Sequence, residues 1–187
     1  MRDIARLSVT ELRKSLNGLS QQELVELFIK CCGLSKDVEN YLAVRFRGQQ
    51  VIDQLYERYR KQIEDEFFPA RGFGKLRLSE AREAIREFRK ICNDRKMTFD
   101  LMLFHVEMGV DFTTEYGDID EKFYNSMESM YREVVKWVNS EEGPELYLEY
   151  RDRLFAVVSN TSGVGCGFHD GLKELYYSIK WLEEDEE

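Results

Sequence analysis

Only two prolines, Pro69 and Pro144, interrupt a chain of 187 residues, and apolar side chains recur along it at three- and four-residue spacing. Proline removes a backbone donor and clashes with the preceding helical turn, so long proline-free stretches leave helix continuation unopposed. No segment sustains the period-two alternation of a half-buried strand. The pattern predicts an all-α protein, a compact array of about nine amphipathic helices, with stacked solenoid-like helical hairpins as the alternative arrangement. The chain has no fixed repeat with matching residues, which favours the array.

Local chemistry marks the helix boundaries. Ser20 and Glu23 have the spacing of a capping box, with Leu19 and Leu24 as its hydrophobic staple. Leu24, Leu27, Phe28 and Cys31 then recur on one face until Gly33. Ser35 opens the next helix, with Val38, Tyr41 and Leu42 inward. Val51, Leu55, Tyr59 and Ile63 define a helix over 49–67, which Phe67-Phe68-Pro69 closes. Pro69-Ala70-Arg71-Gly72-Phe73-Gly74-Lys75 reads as a hinge or a binding loop. Ser79 restarts the helix, with Ala81, Ile85, Phe88 and Cys92 inward and Arg82, Arg86, Arg89 and Lys90 covering much of the remaining surface. A longer helix over about 98–116 carries Leu101, Met102, His105, Met108 and Phe112 on one face, and Gly117 ends it. Asp118-Ile119-Asp120 turns into a helix over 120–139, and Pro144 suits the first turn of the one after. Thr161-Ser162-Gly163-Val164-Gly165-Cys166-Gly167-Phe168-His169-Asp170 is a glycine-rich loop entering the last helix, with Thr161 or Ser162 as its cap.

The length suits one domain over residues 1–182, and the five acids at 183–187 read as a solubilising tail. A formal charge of −9 disfavours binding to nucleic acid or to an anionic membrane as a property of the whole molecule. The charge is unevenly placed. Residues 1–90 hold 18 Lys and Arg against 14 Asp and Glu, a net +4, while residues 91–187 hold 9 against 22, a net −13. No apolar run is long enough to span a membrane, and the first residues lack the apolar core of a signal peptide, so the chain reads as cytoplasmic. Cys31, Cys32, Cys92 and Cys166 show no zinc spacing and are expected to be reduced, mostly buried thiols.

Four constellations bear on chemistry. The glycine-rich loop runs into a helix N-terminus, where the amides of Gly165 and Gly167 could hold an anion; it fits neither the Walker pattern nor the dinucleotide fingerprint. Cys166 and His169 have the spacing of a thiol–base pair, although a buried thiol and a backbone-bonded imidazole are commoner. Glu107, Asp111 and Glu115 share one helix face, as do Glu121, Asn125 and Glu128 on the next. If those faces met, with His105 or His169, they could bind a divalent cation; a solvated acidic surface is the simpler reading. The basic run Arg71, Lys75, Arg77, Arg82, Arg86, Arg89 and Lys90 is interrupted by glutamates, which favours pairing within the chain or with an acidic partner.

The words Leu16-x-x-Leu19-Ser20-x-x-Glu23-Leu24, Phe67-Phe68-Pro69, Lys75-Leu76-Arg77-Leu78-Ser79-Glu80-Ala81, Gly117-Asp118-Ile119-Asp120-Glu121-x-Phe123-Tyr124-Asn125-Ser126-Met127-Glu128 and Thr161-Ser162-Gly163-x-Gly165-x-Gly167-Phe168-His169-Asp170 span nearly the whole chain. Together they resemble a family of small bacterial proteins catalogued only as a domain of unknown function. The resemblance implies a cytoplasmic helical protein and transfers no activity, cofactor or site. Because those words include the acidic turn and the Gly-Phe-His-Asp helix start, a metal site built from His169, Asp170, Asp118, Asp120 and Glu121 ranks above a Cys166 nucleophile. The functional expectation is a non-enzymatic module that engages a protein partner or itself. The alternative is a small enzyme or sensor with a divalent-metal or anion site near His169 and the 117–128 turn.

Overall fold

The computed structural model describes residues 7–165 and 167–182; Cys166 and the acidic tail at 183–187 lie outside the described residues. The protein is all-α, with nine helices and no strand among the described residues. The chain divides into two compact units, Met1–Gly48 and Gln49–Glu187.

The first unit holds α1 (Val9–Asn17), α2 (Gln21–Leu34) and α3 (Lys36–Arg47). Two capping boxes start its helices. Ser8 accepts from the Glu11 amide at 3.2 Å while the Glu11 carboxylate takes the Ser8 amide at 2.9 Å. Ser20 and Glu23 repeat the arrangement at 3.3 and 2.8 Å. Each exchange satisfies amides that the first helical turn leaves free, and holds the two glutamates below the ordinary carboxylate range. Ser35 caps α3, as its position predicts. The packing departs from expectation. Leu27, Phe28 and Tyr41, whose spacing points inward, are exposed. No residue of α1 or α2 is buried, and α3 buries only Asn40.

The second unit holds α4 (Gln49–Phe67), α5 (Leu78–Cys92), α6 (Arg95–Tyr116), α7 (Glu121–Val138), α8 (Gly143–Ser159) and α9 (Phe168–Tyr177). Its centre is α6, which packs against α4, α5, α7 and α8. Apolar side chains surround α6, including Phe99, Leu101, Leu103, Phe104, Val106 and Val110, and all of these are buried. A helix apolar all round needs neighbours on every side. The apolar faces of α4, α5, α7, α8 and α9 supply the core around it, with Leu55, Ile63, Phe88, Met127, Leu154 and Leu172 among the buried contributors. Rings join the layers: Phe99 meets Tyr150 edge-on at 4.9 Å, and Tyr124 lies 4.6 Å from Phe168.

Two helix starts differ from the sequence reading. The long helix begins at Arg95, not near Thr98, because Asp94 caps it by accepting from the Met97 amide at 2.8 Å. Ser79 does not cap α5, which begins at Leu78. α5 has no side-chain cap; the buried Glu66 carboxylate on α4 instead holds the residue that precedes the helix, accepting from the Arg77 amide at 3.2 Å and pairing with the Arg77 guanidinium at 2.6 Å. The 69–75 loop is thereby pinned at its base, where Leu76 N–H also donates to the Glu66 carbonyl at 2.9 Å. Phe73 at its tip is exposed.

Close packing leaves no room for a side chain at several glycines, Gly109 and Gly143 among them. A Cβ on Gly109 would collide with the Met127 thioether, and one on Gly143 with the Val138 carbonyl. A methionine can yield by rotating, whereas a backbone carbonyl cannot. Gly143→Ala is therefore expected to destabilise more than Gly109→Ala, which should cost about 1–3 kcal/mol in urea unfolding. Equal losses would show that the methionine is as rigid as the backbone.

Candidate functional site

The acidic turn and the glycine-rich loop meet, through one residue of the turn. Asp118 accepts from the Gly165 amide at 3.2 Å, and the Tyr124 hydroxyl donates to the same carboxylate oxygen at 3.2 Å. A further link runs from the Ile119 amide to the Tyr124 hydroxyl at 3.1 Å. A loop amide expected to receive an anion thus receives a carboxylate of the chain itself. Gly167 stands at the N-cap of α9 with φ +75°, a left-handed conformation that glycine adopts without strain.

The other predicted residues point elsewhere. His169 Nδ1 pairs with the Thr161 hydroxyl at 3.1 Å. That hydroxyl also closes the end of α8, donating toward the Val158 carbonyl at 2.8 Å, so Thr161 does not cap α9. Asp120 caps α7 by accepting from the Phe123 amide at 2.8 Å. Glu121 and Asp170 are exposed in the first turns of α7 and α9, where a negative charge complements the helix dipole. Among the described residues no three His, Cys, Asp or Glu side chains are grouped to hold a metal ion. The two acidic faces of α6 and α7 serve different neighbours. Glu107 pairs with Arg153 of α8, whereas Glu128 lies over Gly171 of α9, where burial raises its pKa.

His105 is a core residue. It is fully buried, edge-on to Phe67 at 5.5 Å, and neither ring nitrogen has a hydrogen-bond partner. Burial pushes its pKa down to about 3, and the nearby Arg82 guanidinium adds to the shift. Burying a charge in this setting costs more than leaving the ring neutral.

A cleft of about 420 Å³ between α4, α6 and α8 holds a linked set of polar side chains. Arg153 donates to both oxygens of Glu107 at 2.7 Å and also pairs with Asp100. The Tyr56 hydroxyl donates to the other Asp100 oxygen. Asp111 lines the same cleft with its pKa raised by burial and by Glu107, and the Arg60 guanidinium lies 3.9 Å from the centre of the Phe104 ring. The residues named in the cleft total three acids and two guanidiniums. Sequence spacing exposed the shared face of Glu107 and Asp111. It held no sign of Arg153, which arrives from a helix 46 residues away.

The most exposed apolar surface belongs to the first unit. Ten of the fifteen exposed large apolar side chains among the described residues lie there, including Val25, Phe28, Ile29 and Leu34 of α2 and Phe46 of α3. On a helical wheel, the apolar and thiol side chains of α2 cover about 220° of its circumference. That is the pattern of a core helix. Cys31 and Cys32 lie half-buried within it as free thiols.

These features define an all-α protein of two helical units, with an ionic cleft in one and an uncovered apolar helix in the other. The chain belongs to a family of unknown function, DUF6155, whose model matches residues 7–164. The match takes in all of α1–α8 and the acidic turn, and ends just before Gly165. Neither the curated proteins nor the solved structures yielded a match. No helix among the described residues is long and apolar enough to cross a membrane.

Two measurements check this site chemistry. The depressed pKa of His105 means that the unfolded chain, with an ordinary histidine pKa near 6.5, binds the proton first as pH falls. Stability from the neutral ring is complete above about pH 6.5 and is lost as pH drops toward 3. Relative to His105→Leu, the wild type should lose up to ~1.4 kcal/mol per pH unit in that window; parallel profiles would contradict the assignment. Arg153→Ala should cost about 1–3 kcal/mol in urea unfolding by stranding Asp100 and Glu107, a figure reduced for the arginine's partial exposure. No loss would mean that solvent already screens the cluster.

Proposed function

We propose that this protein is a protein-interaction module whose contact surface is the apolar face of its N-terminal unit. The observation that supports this is α2, which has the composition of a core helix and not one buried residue. Apolar surface of that extent on a soluble domain marks a binding site more often than an accident of composition. The family match runs through this unit, so the helix is part of the shared domain. In this reading the 42-residue stretch from Leu7 to Gly48 presents the helix, and the second unit is the stably cored body that carries it.

Replacing Val25, Phe28 and Ile29 together by Ser tests the reading. At high dilution the main unfolding transition should stay within about 0.5 kcal/mol of wild type, as for substitutions on an open surface. A loss of several kcal/mol would place these side chains in the core of the chain itself and end the proposal.

A second reading is a small enzyme or sensor with a divalent-metal or anion site near His169 and the 117–128 turn. It is supported by the Asp118–Gly165 hydrogen bond, which holds the acidic turn against the glycine-rich loop. Thermal shifts with magnesium, manganese, zinc and phosphate should then show a gain that His169→Ala removes. No shift with any of the four would exclude it.

A further inference from the structure

The reading of α2 as a contact surface leaves its occupant open, and charge and area narrow the choice. Residues 1–48 hold 8 Lys and Arg against 6 Asp and Glu, a net +2, whereas residues 49–187 hold 19 against 30, a net −11. Two copies of this chain repel each other wherever their second units approach. Of the two like-with-like contacts, first unit on first unit brings only +2 against +2 and so meets at little Coulomb cost.

The first unit also needs a cover. Units of about 40 residues seldom sustain a fold without disulfides, metals or association, and this one has neither a disulfide nor a buried apolar side chain among its described residues. Its exposed large apolar side chains amount to on the order of 1,000 Å² of surface, against the roughly 800 Å² per partner that a standard interface buries. Half of those ten side chains belong to α2 and the rest to α1, α3 and Leu7, so one side of a dimer of standard size needs the whole N-terminal unit, with α2 at its centre.

We infer that the apolar face of α2 is buried against the same face of a second copy of this chain, giving a two-fold symmetric dimer joined through the N-terminal units. This inference rests on the interaction-module reading and adds the partner. Such an interface is isologous, so Phe28 and Ile29 of each copy meet the corresponding α2 surface of the other. Apolar burial drives it, and salt aids it by screening the repulsion between the two net −11 units. The thiols of Cys31 and Cys32 lie within the covered face.

Sedimentation equilibrium of the full chain across a wide concentration range, at low and high salt, tests the inference together with the rate at which Cys31 and Cys32 react with a thiol reagent. The expected result is a monomer–dimer equilibrium that salt leaves unchanged or strengthens, with thiol reactivity rising on dilution. Phe28→Glu should weaken the dimer about thirty-fold or more, as for a central apolar contact. Leu148→Glu, an exposed site on α8, should leave it intact, and both variants should keep wild-type helix content. A dimer that survives Phe28→Glu, or one that salt dissociates, would overturn the inference by placing the interface elsewhere. A monomer at every concentration with freely reactive thiols would overturn self-pairing while leaving the interaction-module reading in place. A monomer whose thiols stay protected at every dilution would overturn both, because the face would then be covered within one chain.

Discussion

A helix with apolar side chains around most of its circumference must be enclosed, and the second unit is built to satisfy that demand for α6. Twenty-two residues long, α6 meets water through only part of its surface because α4, α5, α7 and α8 pack around it. Its position explains why the neighbouring helices are amphipathic: each has one apolar face for the centre and one polar face for solvent. The same rule applied to α2 gives the opposite outcome. Its composition also calls for enclosure, yet no residue of it is buried. The contrast between these two helices is the physical basis for assigning contact to the first unit and scaffold to the second.

Polar side chains fix the geometry that the apolar core leaves free. Glu66 holds Arg77, the residue that precedes α5, from another helix and ties down the loop that follows Pro69. Arg153 bridges α8 to two carboxylates of α6, one of which also anchors Tyr56 of α4. Asp118 performs the same service for the glycine-rich loop. Glu66, Asp100 and Glu107 are buried or half-buried, and such charges are weak sources of net stability but define one arrangement by making alternatives leave a charge unpaired. The ionic cleft reads first as a clasp among three helices, because its acids are largely engaged by its own Tyr56 and Arg153.

Much of this was legible in the sequence where the signal is local. The Ser20–Glu23 box, the Ser35 cap, the helix over 49–67 and the inward stripes of α4 and α5 all follow from spacing alone. Signals carried by distant residues were not legible. The residue before α5, Arg77, is held by Glu66 eleven residues upstream, a link that the local cue at Ser79 does not carry. The inward assignment of Tyr41 failed for a different reason, which also leaves the recurring Leu27 and Phe28 exposed: periodicity identifies the face that seeks cover but not which surface provides it. Likewise, the word that includes His169 indicated a helix start correctly, while its hydroxyl partner Thr161 emerges only from the folded loop.

Belonging to a family of unknown function leaves physical argument to rank the surfaces of this molecule, and α2 ranks first. Hydrogen–deuterium exchange of the α2 amides, followed in the full chain as a function of protein concentration, tests that ranking most directly. Cover by a second copy predicts protection that increases with concentration over the range in which copies associate, while the α6 amides stay equally protected throughout. Protection of α2 that is the same at every concentration would contradict it.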